Sequence, residues 1–165
     1  MLPRARGGGA SRLRQEDARE AISRAALAEI EVNGRKRRHP HQYRIPHAQL
    51  EKARAGLLSA DLASASTFDE LYRRVAETIG SIERIGELAV YDTAFQIGAF
   101  LRLEPDLVYL HRGTRDGARA LGVGRGRTSL TVDELPPDFR RLRPYEIEDC
   151  LCIYKRELAK VALQG

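Results

Sequence analysis

The residue that most needs a chemical explanation is Asp92. It stands in ELAVYDTAFQIGAFLRL (residues 87–103), which as a helix shows apolar or small residues on nearly every face. A carboxylate buried there without a partner is costly. Either it makes a structural ion pair or caps another helix, or it is an acid or base held in a recess. Glu87 and Tyr91 beside it, with Tyr109 and His111 in the crossing that follows, are the side chains expected to share such a recess.

Arginine carries the second pattern. Basic residues gather as Arg35, Lys36, Arg37, Arg38 and Arg44, as Arg112, Arg115, Arg119, Arg125 and Arg127, and as Arg140, Arg141 and Arg143. All three groups are expected in or beside loops, where the plain account is solvated surface charge. The middle group surrounds GVGRGRTS (residues 122–129), and bare backbone amides beside guanidinium forks suit phosphate oxygens. Three histidines, His39, His41 and His47, fall in one connection without acidic or cysteine ligands at close spacing, so no metal is expected. The GVGRG loop lacks the preceding strand and βαβ unit of a dinucleotide fingerprint, so no cofactor is expected either.

Composition bounds these readings. With 165 residues, 42% of them hydrophobic, the chain is expected to form one compact domain over residues 11–165 behind a loose basic tail, residues 1–10. A net charge of +5 favours anionic partners. Two cysteines, Cys150 and Cys152, cannot build a disulfide framework; on a helix they point to different faces and read as packing residues in a reducing, cytoplasmic setting. No stretch approaches the ~18 apolar residues of a membrane span, nor does an apolar segment follow the first arginines as in a signal peptide.

The elements that must position these residues read as about six helices, an all-α fold. The first is expected from Ser11 to Asn33, stopped by Gly34; residues 35–47, broken by Pro40 and Pro46, form an exposed connection. Pro46 opens a second helix carrying Leu50, Ala53 and Leu57. Thr67 and Glu70 have capping-box spacing before a third helix, ended by Gly80, and the helix carrying Asp92 is expected to be the most buried. DLVYLH is a short apolar crossing, too isolated for a sheet, and a fifth helix follows from Thr114 to Leu121. Thr131 and Glu134 repeat the capping box before a short turn, and a last helix begins after Pro144.

From Ser81 to Gly122 the chain resembles the hairpin region of the helix-hairpin-helix DNA glycosylases, over about a quarter of its length. In that family a hydrophobic-Gly-hydrophobic-Gly turn between two helices grips a DNA phosphate. Ile82, Ile85 and Gly86 keep part of that pattern, and Arg84 replaces the first glycine. His111 stands where the family has its catalytic aspartate, so the resemblance leaves the carboxylate to Asp116, Asp92 or Glu87. No lysine occurs between Lys52 and Lys155, which argues against lyase chemistry through a Schiff base.

The resemblance implies a monofunctional DNA glycosylase acting in repair or in defence against phage. A damaged or modified base would be flipped out and its N-glycosidic bond hydrolysed. Asp92 or Asp116 would stabilise the sugar cation, while His111 or Tyr109 would contact the base. Gly86, Arg112 and Arg115 would engage phosphates, with Arg119, Arg125, Arg127, Arg37 and Arg38 as further DNA contacts. The competing expectation is a non-catalytic helical module binding DNA, RNA being open, with Asp92 structural. A ribonuclease using His111, Arg112 and Tyr109 is a third.

Overall fold

The computed structural model describes residues 8–162 and is mostly helical. The chain divides into two compact units, Met1–Leu103 and Glu104–Gly165. Of the expected tail, residues 1–7 lie outside the described residues.

In the first unit, α1 (Gly8–Ala26) leads into two short strands, β1 (Glu29–Val32) and β2 (Arg35–Arg38), followed by a 3₁₀ turn over Pro40–Gln42. Then come α2 (His47–Ser59), α3 (Phe68–Ile79) and α4 (Glu87–Leu101). The first helix was expected to continue to Asn33. It stops at Ala26, Ala28 adopts a left-handed conformation (φ 54°), and EIEV turns into a strand. Asn33 and Gly34 then take φ 52° and 71°, the two positive values of a type I′ hairpin turn. So Gly34 turns a ribbon and does not stop a helix, and residues 35–38 are a strand, not an irregular connection.

The helices start largely where the residues say. The Thr67 hydroxyl accepts the Glu70 N–H at 3.2 Å, and the Glu70 carboxylate reaches back to the Ser66 N–H at 3.0 Å, one residue earlier than in the usual box. The bond from the Ser66 N–H, followed by those from the Ser66 hydroxyl and the Arg74 guanidinium, holds the Glu70 carboxyl below its ordinary value. Pro46 caps α2 from just outside it. Helix α4 buries Ala89, Val90, Tyr91, Thr93, Ala94, Ile97 and Gly98, and packs against α1 and α3. Phe68 fills the space beside Gly98: a Cβ there would come within 3.1 Å of its ring.

The second unit contains β3 (Val108–Tyr109), α5 (Arg112–Ala120), β4 (Ser129–Leu130), 3₁₀ turns over Val132–Glu134 and Pro137–Arg141, α6 (Pro144–Ile153) and α7 (Lys155–Ala162). The crossing expected to stand alone pairs antiparallel with β4, Val108 opposite Leu130. Its core is Val108, Leu110, Ala118, Leu130, Leu135, Ile147 and Leu151. Helix α5 lies very close to α6 because Gly113 and Gly117 put no side chain between them; a Cβ on Gly117 would fall on the backbone of Leu151, 2.8 Å from its Cα. Thr131 and Glu134 close the expected capping box, with the Thr131 N–H donating to the Glu134 carboxylate at 2.8 Å. That bond, first among several, lowers the Glu134 carboxyl. The expected single last helix is broken at Tyr154 into α6 and α7. No helix among the described residues is long and apolar enough to cross a membrane.

Candidate nucleic-acid interface

The turn between α3 and α4 is built so that the amino end of α4 stays open. Gly80 closes α3 with its N–H on Ala76 O, and tight i to i+3 hydrogen bonds carry the chain through Ile82 and Ile85. Ile85 is buried and anchors the turn, while Arg84 before it is forced into the left-handed region at φ 70°. Gly86 is the N-cap of α4 and brings no side chain to cap the first amides of the helix; the space its Cβ would occupy is empty to 4 Å. A helix of fifteen residues concentrates positive potential at that end. Around it lies a depression of about 590 Å³ lined by Tyr43, Arg44, Ile45, Arg84, Gly86 and Leu88. The Arg44 guanidinium lies 5.2 Å from the Tyr43 ring centre, and its Nε donates to the Tyr43 hydroxyl at 2.7 Å. Glu87, exposed, is the one acid in the first turn of α4.

Asp92 sits half-buried one and a half turns further along α4. Its Oδ2 accepts a hydrogen bond from Gln42 Nε2 at 3.1 Å and faces His39 Nδ1 at 3.9 Å. Among the described residues no hydrogen bond reaches its Oδ1. An open depression of about 340 Å³ borders it, lined also by Arg24, Glu29, Ile30, Glu31, Phe95 and Gln96. Tyr91, expected beside it, is buried in an aromatic cluster with Phe68, Tyr72 and Phe95, and Glu87 lies at the exposed helix start. Gln42 is 1% exposed, so Asp92 is the partner that lets a side-chain amide be buried.

Comparison with protein families, with curated proteins and with solved structures finds no match to this chain. Its own geometry therefore carries the functional argument.

In the second unit, His111 is the N-cap of α5 and is enclosed: it is 4% exposed and bonded through Nε2 to Glu148, itself 6% exposed. Tyr109 is likewise buried, in β3. Asp116 is exposed and paired with Arg119 at 3.2 Å. Arg127 pairs with Glu134, Arg140 with Asp133, and Arg143 with Glu104. Arg112 and Arg125 are exposed and Arg115 is half-buried. Gly122, Gly124 and Gly126 all have φ between 72° and 75°; Gly124 packs against Leu110 and Ala118, so part of that glycine pattern serves the unit's core. Burial, with Asp149 and Glu146 beside it, pushes the Cys150 thiol up.

The arginines thus divide by environment. Arg119, Arg127, Arg140 and Arg143 in the second unit, like Arg54 and Arg74 in the first, are answered by carboxylates, whereas none of Arg35, Arg37, Arg44, Arg84, Arg112 and Arg125 is paired with one among the described residues. Sequence reasoning did not find Tyr43 and Gln42, and it did not link Arg44 to Gly86 or His39 to Asp92. Of the three histidines considered for a metal, His39 faces Asp92 and His47 faces Glu51 at 3.8 Å, and the His41 side chain lies outside the described residues. No group of three metal-ligating side chains occurs among the described residues.

Proposed function

We propose that this protein binds nucleic acid through backbone phosphates, anchored at the turn between α3 and α4. The carrying observation is the amino end of α4, whose N-cap Gly86 brings no capping side chain and lines one open depression together with Arg84 and Arg44. Amides at a helix start and two cations with no carboxylate partner suit a phosphate diester. Arg84, standing where the helix-hairpin-helix pattern has its first glycine, has a left-handed backbone of the kind that glycine favours, which supports reading the turn as a phosphate grip of that kind. DNA is the proposed partner.

Two substitutions test this from opposite sides. Gly86→Asp is compatible with the extended N-cap backbone (φ −97°, ψ 176°) and supplies a cap, so it should stabilise α4 by about a few tenths of a kcal/mol. It also places a carboxylate where the phosphate would sit, so binding to a labelled duplex should fall. Arg84→Gly keeps the backbone conformation and removes one cation; it should weaken binding with no loss of stability. A Gly86→Asp protein that binds as tightly as the wild type contradicts the reading.

Base excision by a DNA glycosylase mechanism is the second reading, and Asp92 favours it. Asp92 is half-buried, its carboxylate is held through Oδ2, and the residue lines an open depression. That arrangement suits Asp92 for orienting a water or facing a sugar cation better than it suits enclosed His111 or exposed Asp116. Incubating the protein with duplexes that carry a panel of altered bases, then cleaving at abasic sites, tests it. Excision lost in Asp92→Asn with DNA affinity intact is expected; no excision of any base by the wild type leaves the non-catalytic binder.

A further inference from the structure

The geometry points to the β1–β2 ribbon as a second nucleic-acid contact, an arm whose working face carries Arg35 and Arg37 and whose partner is a duplex. In the antiparallel register Glu29 lies opposite Arg38 and Glu31 opposite Lys36, while Ile30 lies opposite Arg37 and Val32 opposite Arg35. Residues directly opposite share a face of the ribbon. One face therefore mixes acids with cations, and the other sets two arginines among aliphatic side chains.

The two faces are not electrically alike. On the mixed face Lys36 Nζ lies 3.4 Å from Glu29, and the Arg38 guanidinium donates to the Ile45 carbonyl oxygen at 3.2 Å, bracing the ribbon onto the segment that lines the α4 depression. Both cations are committed to the protein. Arg35 and Arg37 are exposed, have no carboxylate partner among the described residues, and stand two residues apart on one strand, about 7 Å between Cα atoms. Long guanidinium side chains so spaced can reach successive phosphates of one strand.

The residues of the ribbon also select among anionic partners. A two-stranded ribbon is of a width that the major groove of a duplex admits. Unpaired strands are held by aromatic side chains on which bases stack, and residues 29–38 contain none. A lipid surface is held by inserted apolar area, and of the large aliphatic residues on the ribbon only Val32 is exposed, at 38%. The duplex is the partner left, with its backbone extending from the α4 turn along the ribbon. This inference rests on the proposed nucleic-acid binding, and the test separates the two.

The full-length chain is titrated with a short labelled duplex over a salt series, as wild type, Arg35→Ala/Arg37→Ala, Lys36→Ala and Arg44→Ala/Arg84→Gly, with circular dichroism confirming that each variant is folded. Losing two phosphate contacts should make the slope of log affinity against log salt shallower by about 1.8 in Arg35→Ala/Arg37→Ala, alike for different duplex sequences. Lys36→Ala, whose charge is already answered by Glu29, should change the slope by well under half of that. An unchanged slope in the arginine pair, or an equal loss per charge at Lys36, overturns the arm while leaving the α4 anchor standing if Arg44→Ala/Arg84→Gly weakens binding. Tighter binding of a single strand than of the duplex, or of anionic vesicles dependent on the same two arginines, also overturns it. Absence of any binding by the wild type overturns both the arm and the proposed function.

Discussion

Replacing Gly117 by alanine tests how α5 is held, and with it how Arg112 and Arg119 come to face outward. Alanine is favoured over glycine inside a helix by about 1 kcal/mol, so without a neighbour the change would stabilise. Here the new methyl group would meet the carbonyl and the Cα of Leu151, the latter at 2.8 Å. Backbone in the last turn of α6 has no rotamer to change as a side chain would, and overpacking of this kind costs typically about 1–3 kcal/mol, sometimes more. At the upper end of that range the net effect is a destabilisation of roughly 2 kcal/mol. Gly113 is the internal control: its added methyl would meet only the Cys152 sulfur at 2.7 Å, the end of a side chain that can rotate for about 0.5–1.5 kcal/mol. Gly113→Ala should therefore lie near zero, and Gly113→Ala/Cys152→Ala above Cys152→Ala alone. Urea unfolding followed by circular dichroism measures all four proteins. If Gly117→Ala is as stable as the wild type, the close approach of α5 to α6 is wrong, and so is the account of the glycine pair.

At Asp92, asparagine keeps an acceptor for Gln42 and should cost under about 1 kcal/mol, whereas leucine strands a buried amide and should cost about 1–3 kcal/mol; equal losses in urea unfolding would remove the hydrogen bond from the explanation. Glu148→Ala removes the buried acceptor that His111 Nε2 meets and should cost about 1–3 kcal/mol, with Glu148→Gln milder, and calorimetry that finds both harmless would refute the enclosed pair. The Glu70 and Glu134 carboxyls are lowered in the folded protein, so their capping contribution is complete above about pH 4.3 and is lost as pH falls through their folded values. Acid unfolding of Glu70→Gln/Glu134→Gln should accordingly be less pH-dependent below about pH 4.3 than that of the wild type, and identical profiles would speak against these caps.

What the sequence makes legible is local chemistry. Thr67 with Glu70 and Thr131 with Glu134 announce their caps because both partners lie within one turn, and the run 87–101 announces its burial because few polar residues interrupt it. The ribbon was equally local, since Asn33-Gly34 is the preferred pair for a type I′ turn, but the helix formers before it made glycine look like a helix stop. The companions of Asp92 were out of reach for a different reason. Gln42 is fifty residues away, whereas Tyr91, the adjacent residue, is turned about 100° round the helix and packs elsewhere. His111 meets Glu148 across thirty-seven residues, and no spacing rule connects them. The division into two compact units gives no signal in composition, because Leu103-Glu104-Pro105 differs little from other helix ends in the chain.

The environment of Cys150 bears on how the protein withstands oxidants. A thiol reacts as its thiolate, and burial together with the acids Asp149 and Glu146 makes that thiolate scarce at neutral pH. Alkylation and oxidation to the sulfenic acid should both be slow there. Two residues apart on α6, Cys150 and Cys152 also point to different sides of the helix, so a disulfide within the pair would require unwinding it. The Cys150 sulfur is thus slow to oxidise whatever the surroundings, and its remaining a thiol says little about the compartment in which the chain works.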